Sequence, residues 1–354
     1  MMMRMAYMIY IPWLLVAQFL LLVPLTTSKV PAIIVFGDSS VDAGNNNVIP
    51  TLLKSNFKPY GRNFPGGRAT GRFCNGRVPP DFISEAYGLK PLIPAYLDPA
   101  YTIADFATGV CFASAGTGYD NATSAVLNVI PMWKELEYYK DYQNKLRAYL
   151  GIEKANEILS EALYLLSLGT NDFLLNYYVF PTRRSQFSIE EYQDFLVGLS
   201  GNFIRDLYAL GARKISLTGV PPLGCLPLER LTNKMGHHGC NEKYNDVSLE
   251  FNGKLQNLVR RLNKELRGVT VAFADSYQSI DQMITRPSLY GFEVVGVACC
   301  STGTFEISYL CNEHNPLTCL DANKYVFWDA FHPTEKTNRI VVDHYIDSLL
   351  VRFR

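Results

Sequence analysis

Ala32-Ile33-Ile34-Val35-Phe36-Gly37-Asp38-Ser39-Ser40-Val41-Asp42-Ala43-Gly44-Asn45-Asn46-Asn47 opens with an apolar, largely β-branched run that stops at Gly-Asp-Ser. Consecutive apolar residues between Pro31 and Gly37 predict a strand covered on both faces, the usual state of a strand in a parallel sheet. In open α/β sheets, ligands bind beyond the carboxyl ends of such strands. Ser39 therefore stands where a nucleophile is useful. Gly-Asp-Ser alone arises by chance in about one chain in ten of this length, so the reading depends on what surrounds it.

Four further strands are predicted at 108–114, 162–168, 214–219 and 269–274, each a short apolar run closed by Gly, Asn or Pro signals. Helices are predicted at 80–87, 132–150, 189–210 and 334–351. The clearest helix carries Tyr244, Val247, Phe251, Leu255, Leu258, Leu262 and Leu266 at intervals of three or four, which makes one apolar stripe. Five strands separated by helices imply a parallel α/β sheet with right-handed crossovers and helices on both faces. The segment 59–77, dense in Gly, Pro and Arg, reads as irregular and exposed. His237 and His238 read as an exposed loop between two glycines.

The 354 residues carry 33 Lys+Arg against 33 Asp+Glu, which argues against nucleic acid or any other polyanion as a partner. Residues 1–28 combine Arg4, an apolar run and the small residues Thr26, Thr27 and Ser28, the outline of a secretory signal. An uncleaved membrane anchor is the competing reading, and Pro12, Gln18 and Pro24 interrupt the run against it. The expected organisation is a signal over 1–28, one domain over 29–354, and a secreted, extracellular product. Eight cysteines agree with an oxidising destination. Cys225 with Cys240, and one of Cys299 or Cys300 with Cys311 or Cys319, are the pairings to test. Zinc held by Cys300, Cys311, His314 and Cys319 is the weaker alternative, so neither metal nor cofactor is expected. Asn121-Ala122-Thr123 is an acceptor for an N-glycan.

Three of the predicted strands run into Ser39, Gly116 and Asn171, which places them along one sheet edge. Asp329 and His332, three residues apart before the last helix, can lie beside each other on a turn. A serine hydroxyl needs a base within hydrogen-bond reach, and the base needs a partner that fixes its tautomer. An oxyanion needs donors already aimed at it. Taken singly, Ser39 could cap a helix, Asn171 could close a turn and His332 could be a satisfied histidine. Asp38, Asp42 and Asn45 are too sparse for a calcium cage and read as turn formers.

Phe36-Gly37-Asp38-Ser39, the Gly116 turn, Gly169-Thr170-Asn171-Asp172 and Asp329-x-x-His332 resemble, in order, the four blocks of the GDSL or SGNH hydrolase family. The likeness is greatest to its plant GDSL esterase/lipase branch and covers nearly all of residues 29–354. Ala113-Ser114-Ala115-Gly116-Thr117-Gly118-Tyr119 looks like the extracellular lipase group within it. The resemblance implies a flavodoxin-like three-layer α/β/α sandwich with a five-stranded parallel sheet, the SGNH hydrolase fold. It implies a serine esterase acting through an acyl-enzyme. Ser39 would be nucleophile and one oxyanion donor, Gly116 and Asn171 the other donors, His332 the base and Asp329 its partner. The implied partners are a small-molecule or lipid ester and peripheral contact with lipid or cell wall. Two departures stand out: Cys111 where Asn is expected, and Ser301 where Gly is expected. An acyltransferase would use the same triad, whereas a non-catalytic lipid- or glycan-binding protein would be expected to have lost Ser39, His332 or Asn171.

Overall fold

Ile33–Gly37 forms β1, and all five of its residues are buried. The computed structural model describes residues 30–233 and 239–353, so residues 1–28, read above as a signal, and the His237-His238 pair lie outside the described residues. β2 (Gly109–Cys111), β3 (Leu163–Ser167), β4 (Lys214–Thr218) and β5 (Thr270–Ala274) complete a parallel sheet in the order β2-β1-β3-β4-β5. β1 aligns Ile33 with Leu163 and Gly37 with Ser167 on one side, and Ile33 with Gly109 on the other. This is the flavodoxin-like order, in which the chain reverses its direction of travel across the sheet between β1 and β3. The loops that follow β1 and β3 therefore diverge and leave a crevice between them.

The residues of β1 alternate between two cores because successive side chains of a strand point to opposite faces. Ile34 and Phe36 join one core with residues of α2 (Met132–Leu150), α3 (Ile152–Glu161), α4 (Ile189–Ala209) and α5 (Glu242–Glu265). Ile33 and Val35 join the other with Phe82 and Ile83 of α1 (Pro79–Ala86) and Val342 and Leu349 of α7 (Glu335–Arg352). The result is three layers. α5 buries Val247, Phe251, Leu255, Leu258 and Leu262, the stripe visible in the sequence. Sequence patterning misses α3, α6 (Ser276–Thr285), a π-helix at Asp172–Val179, and a small parallel pair, β6 (Val294–Ala298) with β7 (Tyr325–Phe327). The predicted strand 108–114 pairs regularly only over Gly109–Cys111. Beyond it the Phe112 and Ser114 amides still donate to the Val35 and Gly37 carbonyls.

The segment 59–77 corrects the sequence reading, being irregular but not exposed over much of its length. Tyr60, Phe73 and Cys74 are fully buried or nearly so. Arg72, within this segment, is buried and pairs twice with Asp81 of α1, both contacts at 2.8 Å. Its remaining donors reach the Ile93 and Ala43 carbonyls. A buried guanidinium is tolerable when a carboxylate and carbonyls replace its water in this way.

Disulfides join Cys225 to Cys240, Cys299 to Cys319 and Cys300 to Cys311, which leaves Cys74 and Cys111 as buried thiols. Cys111 donates to the Val41 carbonyl at 3.3 Å, so its departure from the expected Asn alters packing but no pairing. Ser301 adopts φ +59°, a left-handed conformation that explains why Gly is the expected residue there. Among the described residues no helix is long and apolar enough to cross a membrane, and no cluster of His, Cys, Asp and Glu could hold a metal ion.

Candidate active site

β1 delivers Ser39 through a tight turn whose geometry begins at Gly37. That residue has φ +149°, and a Cβ there would meet the Ser167 carbonyl oxygen at 2.3 Å, so only glycine fits. The turn is held by its own acidic residues. The Asp38 carboxylate accepts from the Ser40 amide and hydroxyl, and the Asp42 carboxylate accepts from the Gly44, Asn45 and Ala115 amides. Burial raises the pKa of both, Asp42 to about 6. The asparagines that follow tie this turn to the one behind β2. Asn45 donates to the Cys111 and Ala113 carbonyls, and Asn46 to those of Leu53 and Ala115. Turn formation is thus the part played by the acidic and amide groups that flank Ser39.

Beneath the turn lies Glu135 of α2, fully buried, whose Oε2 accepts from the Gly37 amide at 3.0 Å. Burial, with the nearby Asp42 and Asp38 charges, lifts its carboxyl well above the ordinary range. An acid that remains neutral in this position can hold the Gly37 amide without placing another charge under Ser39.

The turn before α7 brings the second half of the site. The Trp328 amide donates to the His332 carbonyl at 2.7 Å, closing a loop that folds Asp329 back onto its own histidine. His332 Nδ1 lies 2.7 Å from Asp329 Oδ1 and 2.8 Å from Oδ2, and His332 Nε2 lies 2.7 Å from Ser39 Oγ. All three residues are buried, Asp329 completely. Asp329 Oδ1 also accepts from the Phe331 and His332 amides, so the carboxylate is fixed in place. An imidazole that reaches a serine hydroxyl on one nitrogen and a carboxylate on the other can take the hydroxyl proton while the carboxylate stabilises the resulting cation.

Asn171 begins the loop after β3, and its Nδ2 donates to the Thr117 carbonyl at 2.9 Å. That bond couples it to the turn containing Gly116, which has φ +89°. Asp172 strengthens the coupling by accepting from the Tyr119 and Asp120 amides and the Thr123 hydroxyl. Burial pushes the Asp172 carboxyl up to about 7 against these three donors. Ser39, Asn171 and His332 line one cavity of about 320 Å³. Gly116 is buried behind it. A Cβ there would meet Leu53 at 2.9 Å and Leu127 at 3.4 Å, and both of those residues line the cavity.

Sequence reasoning did not single out Tyr60. Its hydroxyl donates to Asp329 Oδ2 at 2.7 Å and accepts from the Ser308 amide at 2.9 Å, in a fully buried position. No local spacing could reveal a contact made across 269 residues. Tyr60→Phe removes one donor from the carboxylate and strands the Ser308 amide. The expected result is a fall in kcat of about 5- to 30-fold, corresponding to about 1–2 kcal/mol, with KM unchanged. Steady-state kinetics on one ester, with a melting curve for each protein, checks it. A lowered melting temperature with normal kcat would reduce Tyr60 to a packing residue.

A flavodoxin-like sheet with a serine, histidine and aspartate linked by hydrogen bonds at its carboxyl edge is an arrangement in which a serine hydroxyl can be activated for attack on an ester. The family model for GDSL-like lipase/acylhydrolase matches residues 33–345. Three GDSL esterase/lipases of Arabidopsis thaliana are similar over most of their length. One is 62% identical over 328 residues, 93% of this chain and 94% of the relative. Another is 60% identical over 341 residues, 96% and 97% of the two chains. A third is 59% identical over 325 residues, 92% and 93%. The chain belongs to the GDSL-like lipase/acylhydrolase family and is a carboxylic ester hydrolase.

Proposed function

We propose that this chain is a secreted serine esterase that cleaves carboxylic esters through an acyl-enzyme on Ser39. The observation that carries the reading is the hydrogen-bonded line from Ser39 Oγ to His332 Nε2 and from His332 Nδ1 to Asp329. Ser39 Oγ attacks the ester carbonyl carbon as its proton passes to His332 Nε2, and the carbonyl electron pair moves onto oxygen. That oxyanion is met by the Asn171 side-chain amide and the Ser39 and Gly116 backbone amides. When the carbon–oxygen bond to the alcohol breaks, the departing oxygen takes the proton from Nε2. Water then attacks the acyl-Ser39 ester, gives a proton to Nε2, and Ser39 Oγ leaves with that proton, which frees the carboxylic acid.

Residues 1–28 act as a secretory signal and 29–354 as a single domain. Three disulfides support passage through an oxidising compartment. Asn121 is exposed at the start of a short helix, which supports its use as an N-glycan acceptor. The catalytic assignment is tested with a serine-reactive alkyl phosphonate followed by peptide mapping. The label is expected on Ser39 alone. Labelling of another serine, or turnover undiminished by the reagent, would remove Ser39 as nucleophile.

A further inference from the structure

The cavity that holds Ser39 does not end at the triad. Its wall continues past Ser40 and the end of β3 to Ile280 of α6, Phe327 of β7 and, on α7, Val341 and Tyr345. Asn338, Val341 and Tyr345 are spaced by three and four residues, so a single stripe of α7 faces this inner limb.

Three of the polar side chains in the wall are already bonded within the protein. Ser40 Oγ is bonded to Asp38 and Ser167, Ser276 Oγ donates to the Gly219 carbonyl, and Asn338 Nδ2 donates to the Arg77 carbonyl. What the limb presents to an occupant is mainly the Val341 and Ile280 side chains and the Phe327 and Tyr345 rings. Its surface suits a hydrocarbon and offers little to a sugar or a charged group.

We propose that this inner limb is the acyl-chain site and that the enzyme prefers medium-chain acyl esters over acetyl esters. The proposal rests on the serine-esterase reading and extends it to substrate class. Two quantities set the length. Residues 338 to 345 cover about 10 Å of helix axis, the reach of an extended chain of about eight carbons. The whole cavity, about 320 Å³, lies at the small end of the range for ligand sites and leaves no room for a long chain beside a bulky alcohol. The order of events says which half of the ester goes inward. The alcohol must leave before water can enter, whereas the acyl group stays on Ser39 through both steps. The part that stays occupies the limb lined by the buried Ile280, Phe327 and Val341, and the part that leaves occupies the end lined by the half-buried Leu53, Leu127 and Ile307.

The test is a series of p-nitrophenyl esters from acetyl to palmitoyl, assayed on the secreted protein, on Val341→Phe and on Tyr345→Ala, each with a melting curve. In the parent protein kcat/KM is expected to rise by at least about 100-fold from acetyl to octanoyl and then fall, since each buried methylene is worth up to about fourfold. Val341→Phe narrows the limb, and the octanoyl-to-acetyl ratio of kcat/KM is expected to drop at least tenfold. Tyr345→Ala lengthens the limb and is expected to move the optimum to longer chains. If Val341→Phe does not fold, the Tyr345→Ala shift decides the matter alone. Acetyl esters carrying alcohols of increasing length form the control series, and their profile should be the same in the parent and both variants. A length profile unchanged by both substitutions in folded protein, or a change confined to the alcohol series, overturns the acyl site. In that outcome a phosphonate still labels Ser39 and the esterase reading stands. No turnover of any ester together with no labelling overturns both.

Discussion

Ser39→Ala is expected to lower kcat by about 10⁶-fold, His332→Ala by a similar factor, and Asp329→Ala by about 10⁴-fold. The Ser39→Ala/His332→Ala double variant is expected to be no slower than the slower single variant. The reason lies in the geometry of one proton. Ser39 Oγ and His332 Nε2 lie 2.7 Å apart and in the proposed mechanism serve the same transfer, so once either is absent the other has nothing to act on. Asp329 is placed to stabilise a cation that the reaction must form, but an imidazole without it retains some basicity, hence the smaller loss. None of these side chains carries the fold. Melting temperatures are expected to shift by only a few degrees, because the surrounding turns are closed by backbone bonds such as Trp328 to His332. The measurement is ester turnover per folded molecule, with folded protein counted by near-ultraviolet circular dichroism. Turnover above one hundredth of the parent rate in Ser39→Ala, or losses that multiply in the double variant, would mean that Ser39 and His332 do not act as one unit.

The parts of this site that were legible in the sequence are those whose physics is local. β1 could be read because an apolar run bounded by Pro31 and Gly37 has few other uses, and α5 because its stripe repeats over six turns. Asp329 and His332 could be paired because three residues of separation allow a turn to bring them together. The parts that were illegible depend on distant partners. Arg72 lies in a segment whose composition reads as exposed, and only the fold brings Asp81, Ile93 and Ala43 to its guanidinium. Glu135 sits in a helix of mixed polarity, and only the fold puts it under Gly37, 98 residues away. β6 is a short Val-rich run interrupted by Gly296, and its pairing with Tyr325 and Phe327 of β7 is a long-range contact that the run itself does not announce. In each case the pattern was ambiguous because a long-range contact, not a local propensity, decided the environment.

Asn171→Ala poses a sharper question, because the side-chain amide has two hydrogens to donate and the variant removes both. Its Nδ2 already donates one hydrogen to the Thr117 carbonyl, which helps hold the turn that carries Gly116. The amide has a second hydrogen, and the residue lines the cavity beside Ser39. A residue that only closed the turn would, on replacement, cost about 1 kcal/mol of stability and leave turnover per folded molecule near normal. A residue that meets charge as it develops would lose about 10²- to 10³-fold in kcat with little change in KM. We expect the second outcome together with a small part of the first: a large kcat defect and a melting temperature lowered by a few degrees. Asn171→Asp separates the two contributions further. It keeps the size of the side chain but replaces the donor with an acceptor, and when ionised adds a negative charge beside the oxyanion, so its kcat should be no higher than that of Asn171→Ala. Active-site titration with a phosphonate counts competent Ser39 in each protein, so that a folding loss is not mistaken for a chemical one. A stable Asn171→Ala protein with full turnover would leave the Ser39 and Gly116 amides as the only oxyanion donors. The coupling of Asn171 to Thr117 would then be purely a device for positioning Gly116.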